Sequence, residues 1–322
     1  MTSFRTLIDH GDVDGLVRHI DGLTASRNWD ELFDLRTAAR AAANAGRQVW
    51  PAATLADYRL ALRAPAEHAA RVLDDAGRFT LGPLTEVVAQ HHTFADLVPH
   101  LGYGPTQAYV AHERAIRGER IDSDIFPALE IPLRRESWEP AYLLPNYRDS
   151  DIESPSPEPS STWTTLCRRD EPMIPTPEVG EAFRLLIEPW TQADSITWNV
   201  SSADSVDAAI THLAQSDVRT SPLTTADALT TLVWAGASGG PSGRRRGNAA
   251  GRYNAWWLLA AITDGLDEWP PNSDDLGSRL DGLSWSTWDS GHARRGWSIG
   301  IAVYDSTTRR AWAFDAHEPS IV

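Results

Sequence analysis

The chain has 322 residues, 42% of them hydrophobic and 23% charged, with a formal net charge of −15 shared by both halves. All 29 of its Lys+Arg positions are arginine. Without an ε-amine there is no Schiff base to pyridoxal phosphate, no Walker A loop, no Ser-x-x-Lys acyl transfer and no protein-kinase strand lysine. Cys167 is the single cysteine, which excludes an intramolecular disulfide and a cysteine-based zinc cluster.

Residues 1 to about 120 read as successive short helices. Asp12 caps a helix carrying Leu16, Ile20 and Leu23 at helical spacing. A second helix runs from Trp29 through Leu32, Leu35 and Ala39 toward Gly46, and a third, opened by Pro51, carries Leu55, Tyr58 and Leu62. Shorter helices are expected at 66–76, 83–91, 93–100 and 105–117, separated by Gly and Pro. Paired helices of this length suggest an α-solenoid-like domain over 1–148, without a fixed-period repeat. Residues 149–161 (DSDIESPSPEPSS) are acidic and rich in Ser and Pro, the composition of a linker.

Residues 162–322 read as a Trp-rich α+β domain, so the fold class expected for the whole chain is α+β. A strand is predicted over 195–200, helices over 203–215 and 225–235, and a core helix through Trp256-Trp257. Three strands, 283–289, 297–305 and 310–315, close the chain as a C-terminal antiparallel sheet. The short polar loop 306–308 joins the last two.

The Gly-rich basic stretch 236–252 separates an apolar helix from the Trp256 helix. Backbone N–H groups at a helix start, glycines that permit close approach and several guanidinium forks suit an anionic ligand. Arg244, Arg245, Arg246, Asn248 and Arg252 are its candidate ligand-binding residues; its spacing matches neither G-x-G-x-x-G nor a P-loop. A solvated surface loop is the competing interpretation. The 14 tryptophans fit core packing better than a cation cage or stacking platform, with Trp256, Trp257 and Trp297 placed in the core and one of Trp285 and Trp288 free to be exposed.

No metal signature is present: His91-His92 are adjacent, His112-Glu113 lacks the second His of H-E-x-x-H, and His317-Glu318 stands near the chain end. There is no G-x-S-x-G to mark a nucleophilic serine, and catalytic residues are unassigned. Cys167 beside Arg168-Arg169 reads as inert packing. The charged run 112–119 reads as a solvated helix face or an ion-pair knot, with Glu113 and Arg117 at i,i+4.

Gly46-Arg47-Gln48-Val49-Trp50-Pro51, Tyr58-Arg59-Leu60-Ala61-Leu62, Gly82-Pro83-Leu84-Thr85-Glu86-Val87 and Ala111-His112-Glu113-Arg114 together resemble a family of uncharacterised actinobacterial proteins. The resemblance extends into the Trp256-Trp257 helix and the final strands. It implies a GC-rich source, where coding bias accounts for the missing lysine, and it carries no functional residue over. Selection against amine conjugation is the other explanation, with Arg36, Arg117 and Arg309 read as polar positions where Lys would be tolerated.

With no apolar signal core and no apolar run of about 20 residues, the chain is expected to be cytoplasmic, with no membrane association. Its acidity disfavours nucleic acid as a partner. The leading functional expectation is a non-catalytic protein-interaction module whose N-terminal helices bind a protein partner. The alternative is an enzyme or receptor for an anionic small molecule or nucleotide at 236–252, and local nucleic-acid binding there comes third. No cofactor is predicted.

Overall fold

The computed structural model describes residues 3–73, 80–158, 162–191, 196–214, 218–240, 243–289 and 297–318. The fold is α+β, and it divides into two compact units. The first holds residues 1–129 and 145–154, the second 130–144 and 155–322. The sequence boundaries, 148/149 and 161/162, do not coincide with these. Residues 130–144 join the second unit, and of the expected linker 149–161 the opening half, 149–154, falls in the first unit. The rest of that linker includes 159–161, outside the described residues.

The first unit is built from α1 (Phe4–His10), α2 (Val13–Ser26), α3 (Trp29–Asn44), α4 (Trp50–Arg63), α5 (Ala66–Ala70), α6 (Leu84–Val88), α7 (Phe94–Leu97) and α8 (Pro105–Ile116). Side chains of Ser3, Asp12 and Asn28 accept from backbone N–H groups at the starts of α1, α2 and α3, and Thr93 with Asp96 forms a reciprocal capping box on α7. α2 buries Leu16, Ile20 and Leu23, and α3 buries Leu32, Leu35 and Ala39, the expected stripes. α4 is the central helix, with Ala52, Ala53, Ala56 and the whole run Asp57–Leu62 buried.

Two charges in α4 are therefore held in low dielectric and need partners. Asp57 receives Arg36 Nε at 2.6 Å and Arg40 at 2.5 Å, both from α3. Arg59 pairs with Asp21 of α2 at 2.9 Å and with Asp149 at 2.8 Å. Arg36, expected on a polar surface, is buried. Arg117 of the charged run is nearly buried too, bonded to Glu113 at 2.8 Å, so that segment is an ion-pair knot. Only Arg309 of the three positions is exposed. A two-residue ladder of β1 (Asn146–Tyr147) with β2 (Ile152–Glu153) completes the unit.

The second unit contains β3 (Thr164–Thr165), α9 (Pro177–Leu186), β4 (Thr197–Ala203), α10 (Val206–Leu213), β5 (Arg219–Leu223), α11 (Thr225–Ser238), α12 (Asn248–Ile262), α13 (Ser273–Leu280), β6 (Leu283–Asp289), β7 (Ser298–Asp305) and β8 (Arg310–His317). The strands form one antiparallel sheet of order β3-β5-β6-β7-β8-β4. Alternation along the strands gives the sheet two packed faces. On one, the small residues Ala203, Ala302, Ala311 and Ala313 admit α10 through Ala208, Ala209 and Ile210. On the other, Phe314 meets Phe183 of α9, ring centroids 4.9 Å apart. Trp285 and Trp288 point to opposite faces and both are buried, because helices cover each side.

Candidate functional site

The stretch 236–252 takes in the end of one helix and the first residues of the next. α11 extends through Ser238, closed by Gly239 at φ 84°, and α12 begins at Asn248. What connects them is 239–247, of which 241–242 lie outside the described residues. Gly251 sits inside α12 against α11, where a Cβ would meet the Val233 carbonyl oxygen at 2.4 Å. Its missing side chain serves helix packing rather than a ligand's approach.

The candidate anion ligands are engaged within the protein. Arg252 is 0% exposed, with Nε 2.7 Å from Glu139 Oε1 and a second nitrogen 2.7 Å from Oε2. Its remaining bonds go to the carbonyls of Pro132 and Arg134. Trp256 Nε1 and the Tyr142 hydroxyl donate to the same carboxylate, as does the Glu136 backbone N–H. Burial alone would raise the Glu139 pKa; the bonds and charge of Arg252 outweigh it and hold the carboxyl below its ordinary range. Asn248 donates to Leu143 O and accepts from Arg245. Arg246 reaches Leu185 O and the Glu188 carboxylate. Arg244 is exposed. The stretch thus fastens residues 130–144 onto α12.

The tryptophans divide between packed clusters and one exposed position. Trp190, Trp234 and Trp297 form a cluster in which the last two stack at 5.0 Å and 11°. Trp256 is buried beside Trp138, while Trp257 and Trp297 are half-buried rather than fully in the core. Trp50 is 44% exposed.

Trp50 belongs to the arrangement that sequence reading passed over. Trp50, Pro51, Thr54, Leu55 and Tyr58 recur at i, i+4 spacing along one flank of α4. Thr80, Leu81 (43% exposed), Asp149 and Ser150 line the same cavity. The groove between them has a volume of about 270 Å³. That is just below the roughly 300–1,000 Å³ of small-molecule pockets and suits one or two large side chains.

The polar end is fixed from α4. The Tyr58 hydroxyl donates to Arg148 O, and burial pushes its pKa up to about 12, so it stays a neutral donor. Arg63 Nε lies 3.0 Å from Asp149, and this bond, with the Arg59 charge, holds that carboxyl below the usual range. The backbone at 148–150 is thus pinned as a wall.

The other sequence candidates form no shared site. His92 bonds Ala64 O at 3.0 Å, and burial lowers its pKa, as it does for His91. Cys167 is exposed. Among the described residues no three His, Cys, Asp or Glu side chains gather to hold a metal, and no helix is long and apolar enough to cross a membrane.

A family model described as a family of unknown function, DUF6183, matches residues 14–318, across both units. The chain belongs to that family. No curated protein matches it, and no solved structure does. Membership in DUF6183 assigns no role to any residue, so function is argued from the sites themselves.

Proposed function

We propose that the first unit is a protein-docking module of a cytoplasmic protein, performing no chemistry of its own, with the α4 groove as its binding surface. The observation that carries this reading is the juxtaposition of Trp50 and Leu81, two large apolar side chains each more than 40% exposed, across one cavity. Isolated apolar residues on a surface are ordinary; adjoining ones that line a concavity mark interaction sites. The occupant is a segment of a partner protein that inserts an aromatic or aliphatic side chain. It carries net positive charge, because this chain is at −15.

The anionic-ligand reading has weaker support, since Arg252 and Asn248 are buried on protein partners. Nucleic acid is disfavoured by the same charge that favours a basic segment.

A displayed peptide library selected against the full chain tests the docking reading. Enriched peptides should share an apolar anchor with flanking Arg or Lys. Trp50→Ser with Leu81→Ser should weaken their binding by about 10-fold or more, as for removal of a central anchor, with melting temperature nearly unchanged. Peptides that bind the double variant as well as the parent would overturn the assignment.

A further inference from the structure

β8 ends in Phe314-Asp315-Ala316-His317, and alternation along the strand places Asp315 and His317 on the face that carries Ala311 and Ala313. α10 covers the alanine part of that face. Beyond it the face turns polar. In the register, Ser298 of β7 stands directly opposite His317. Thr197 and Asn199 of β4, both exposed, stand opposite His317 and Asp315 on the other side.

His317 Nδ1 lies 2.7 Å from Asp315 Oδ2. The Asp315 side chain is 7% exposed and the imidazole side chain 32% exposed. A carboxylate only accepts, so this bond puts a proton on Nδ1, and in the neutral tautomer it selects Nε2 is left with its lone pair as a base. Residues directly opposite on antiparallel strands have Cβ atoms about 4.5–5.5 Å apart, so Ser298 and His317 are side-chain neighbours on this face. A hydroxyl, a base beside it and a buried carboxylate that orients the base are the three parts of an activated nucleophile, recognised by geometry and not by sequence order.

We propose that Ser298 and His317, with Asp315 as positioning residue, form a site for acyl transfer from small carboxylic esters to water. Ser298 Oγ bonds to the acyl carbon while His317 Nε2 takes the hydroxyl proton. The ester C–O bond then breaks, and the proton passes from Nε2 to the departing alkoxide, so an alcohol leaves and acyl-Ser298 remains. Water attacks the acyl carbon as Nε2 takes its proton, the bond to Oγ breaks, and Oγ recovers that proton. Ester and water become acid and alcohol, with no oxidant or reductant. The site lies wholly in the second unit and does not depend on the docking groove.

The test uses the full chain and an alkyl fluorophosphonate, which phosphonylates an activated serine with loss of fluoride. Intact mass and peptide mapping should show one adduct, at Ser298. Ser298→Ala should abolish it. His317→Asn, which keeps an amide donor for Asp315, should slow labelling by about 100-fold or more. Asp315→Asn should slow it and change the dependence of the labelling rate on pH, which a merely structural role would leave alone. If either His317 or Asp315 variant melts early, labelling of the parent still decides. No adduct on the folded parent, or an adduct that survives Ser298→Ala, overturns the proposal.

Discussion

At the residue scale the buried Arg252–Glu139 pair governs the second unit. Both side chains are removed from solvent, and the pair persists because each partner is bonded on several sides. Breaking such a pair by removing one member costs about 3–5 kcal/mol, since the other is left charged and buried. Glu139→Gln should therefore lower stability by roughly that amount in urea unfolding at pH 7. The carboxyl's pKa is depressed in the folded state, so its stabilisation is present above the ordinary carboxylate range and is lost as pH falls through the folded value. Melting temperature should accordingly fall less steeply below about pH 4.5 in Glu139→Gln than in the parent. Identical acid slopes would contradict the assignment. Arg252 was legible in the sequence as special, but its purpose was not, because its partner lies 113 residues earlier. The same applies to Arg36: sequence context shows a polar neighbourhood, whereas the fold presents it to Asp57. At such sites the rigid guanidinium fork does what a lysine ammonium does poorly, a structural use of arginine beyond coding bias.

At the element scale, helix stripes and the closing strands were readable because their apolar spacing is set by burial on one face. Among them α2, α3, α4, β6, β7 and β8 stand near their expected bounds. β5 was missed because Arg-Thr-Ser-Pro-Leu has no apolar alternation and contains Pro222. The sheet tolerates that proline, since β3 pairs only with Arg219 and Thr220, so position 222 has a strand neighbour on one side alone, Ser286 of β6. The glycines of 236–252 misled for a related reason: sequence cannot distinguish a glycine that admits a ligand from one that admits a helix. Gly236 and Gly251 face one another across α11 and α12, a Cβ on the first lying 3.0 Å from the other's Cα. Gly251→Ala should destabilise the protein by about 1–3 kcal/mol by forcing those helices apart. A stability equal to the parent's in denaturant unfolding would show that the contact relaxes easily.

At the scale of the whole molecule, the units are not consecutive segments. Residues 130–144 carry Glu139 into the second unit, so its core needs chain from both sides of the segment 145–154. A fragment of residues 162–322 should fail to fold cooperatively, because Arg252 would be buried without its carboxylate. Adding a synthetic peptide of residues 130–144 should restore a cooperative thermal transition. Full folding of the fragment alone would mean that the interleaving is dispensable. Sequence composition located the acidic Ser/Pro stretch but not this exchange, which depends on pairings between distant segments.

The groove proposed for docking was equally hidden, since Trp50 and Leu81 come from separate segments and only the fold brings them to one cavity. Hydrogen exchange of the full chain, with and without a library-selected basic peptide, tests that claim most directly. Slowed exchange confined to the segments covering Trp50–Tyr58, Thr80–Leu81 and Asp149–Ser150 is the predicted result. Protection that leaves those segments unchanged and falls on the second unit would contradict it.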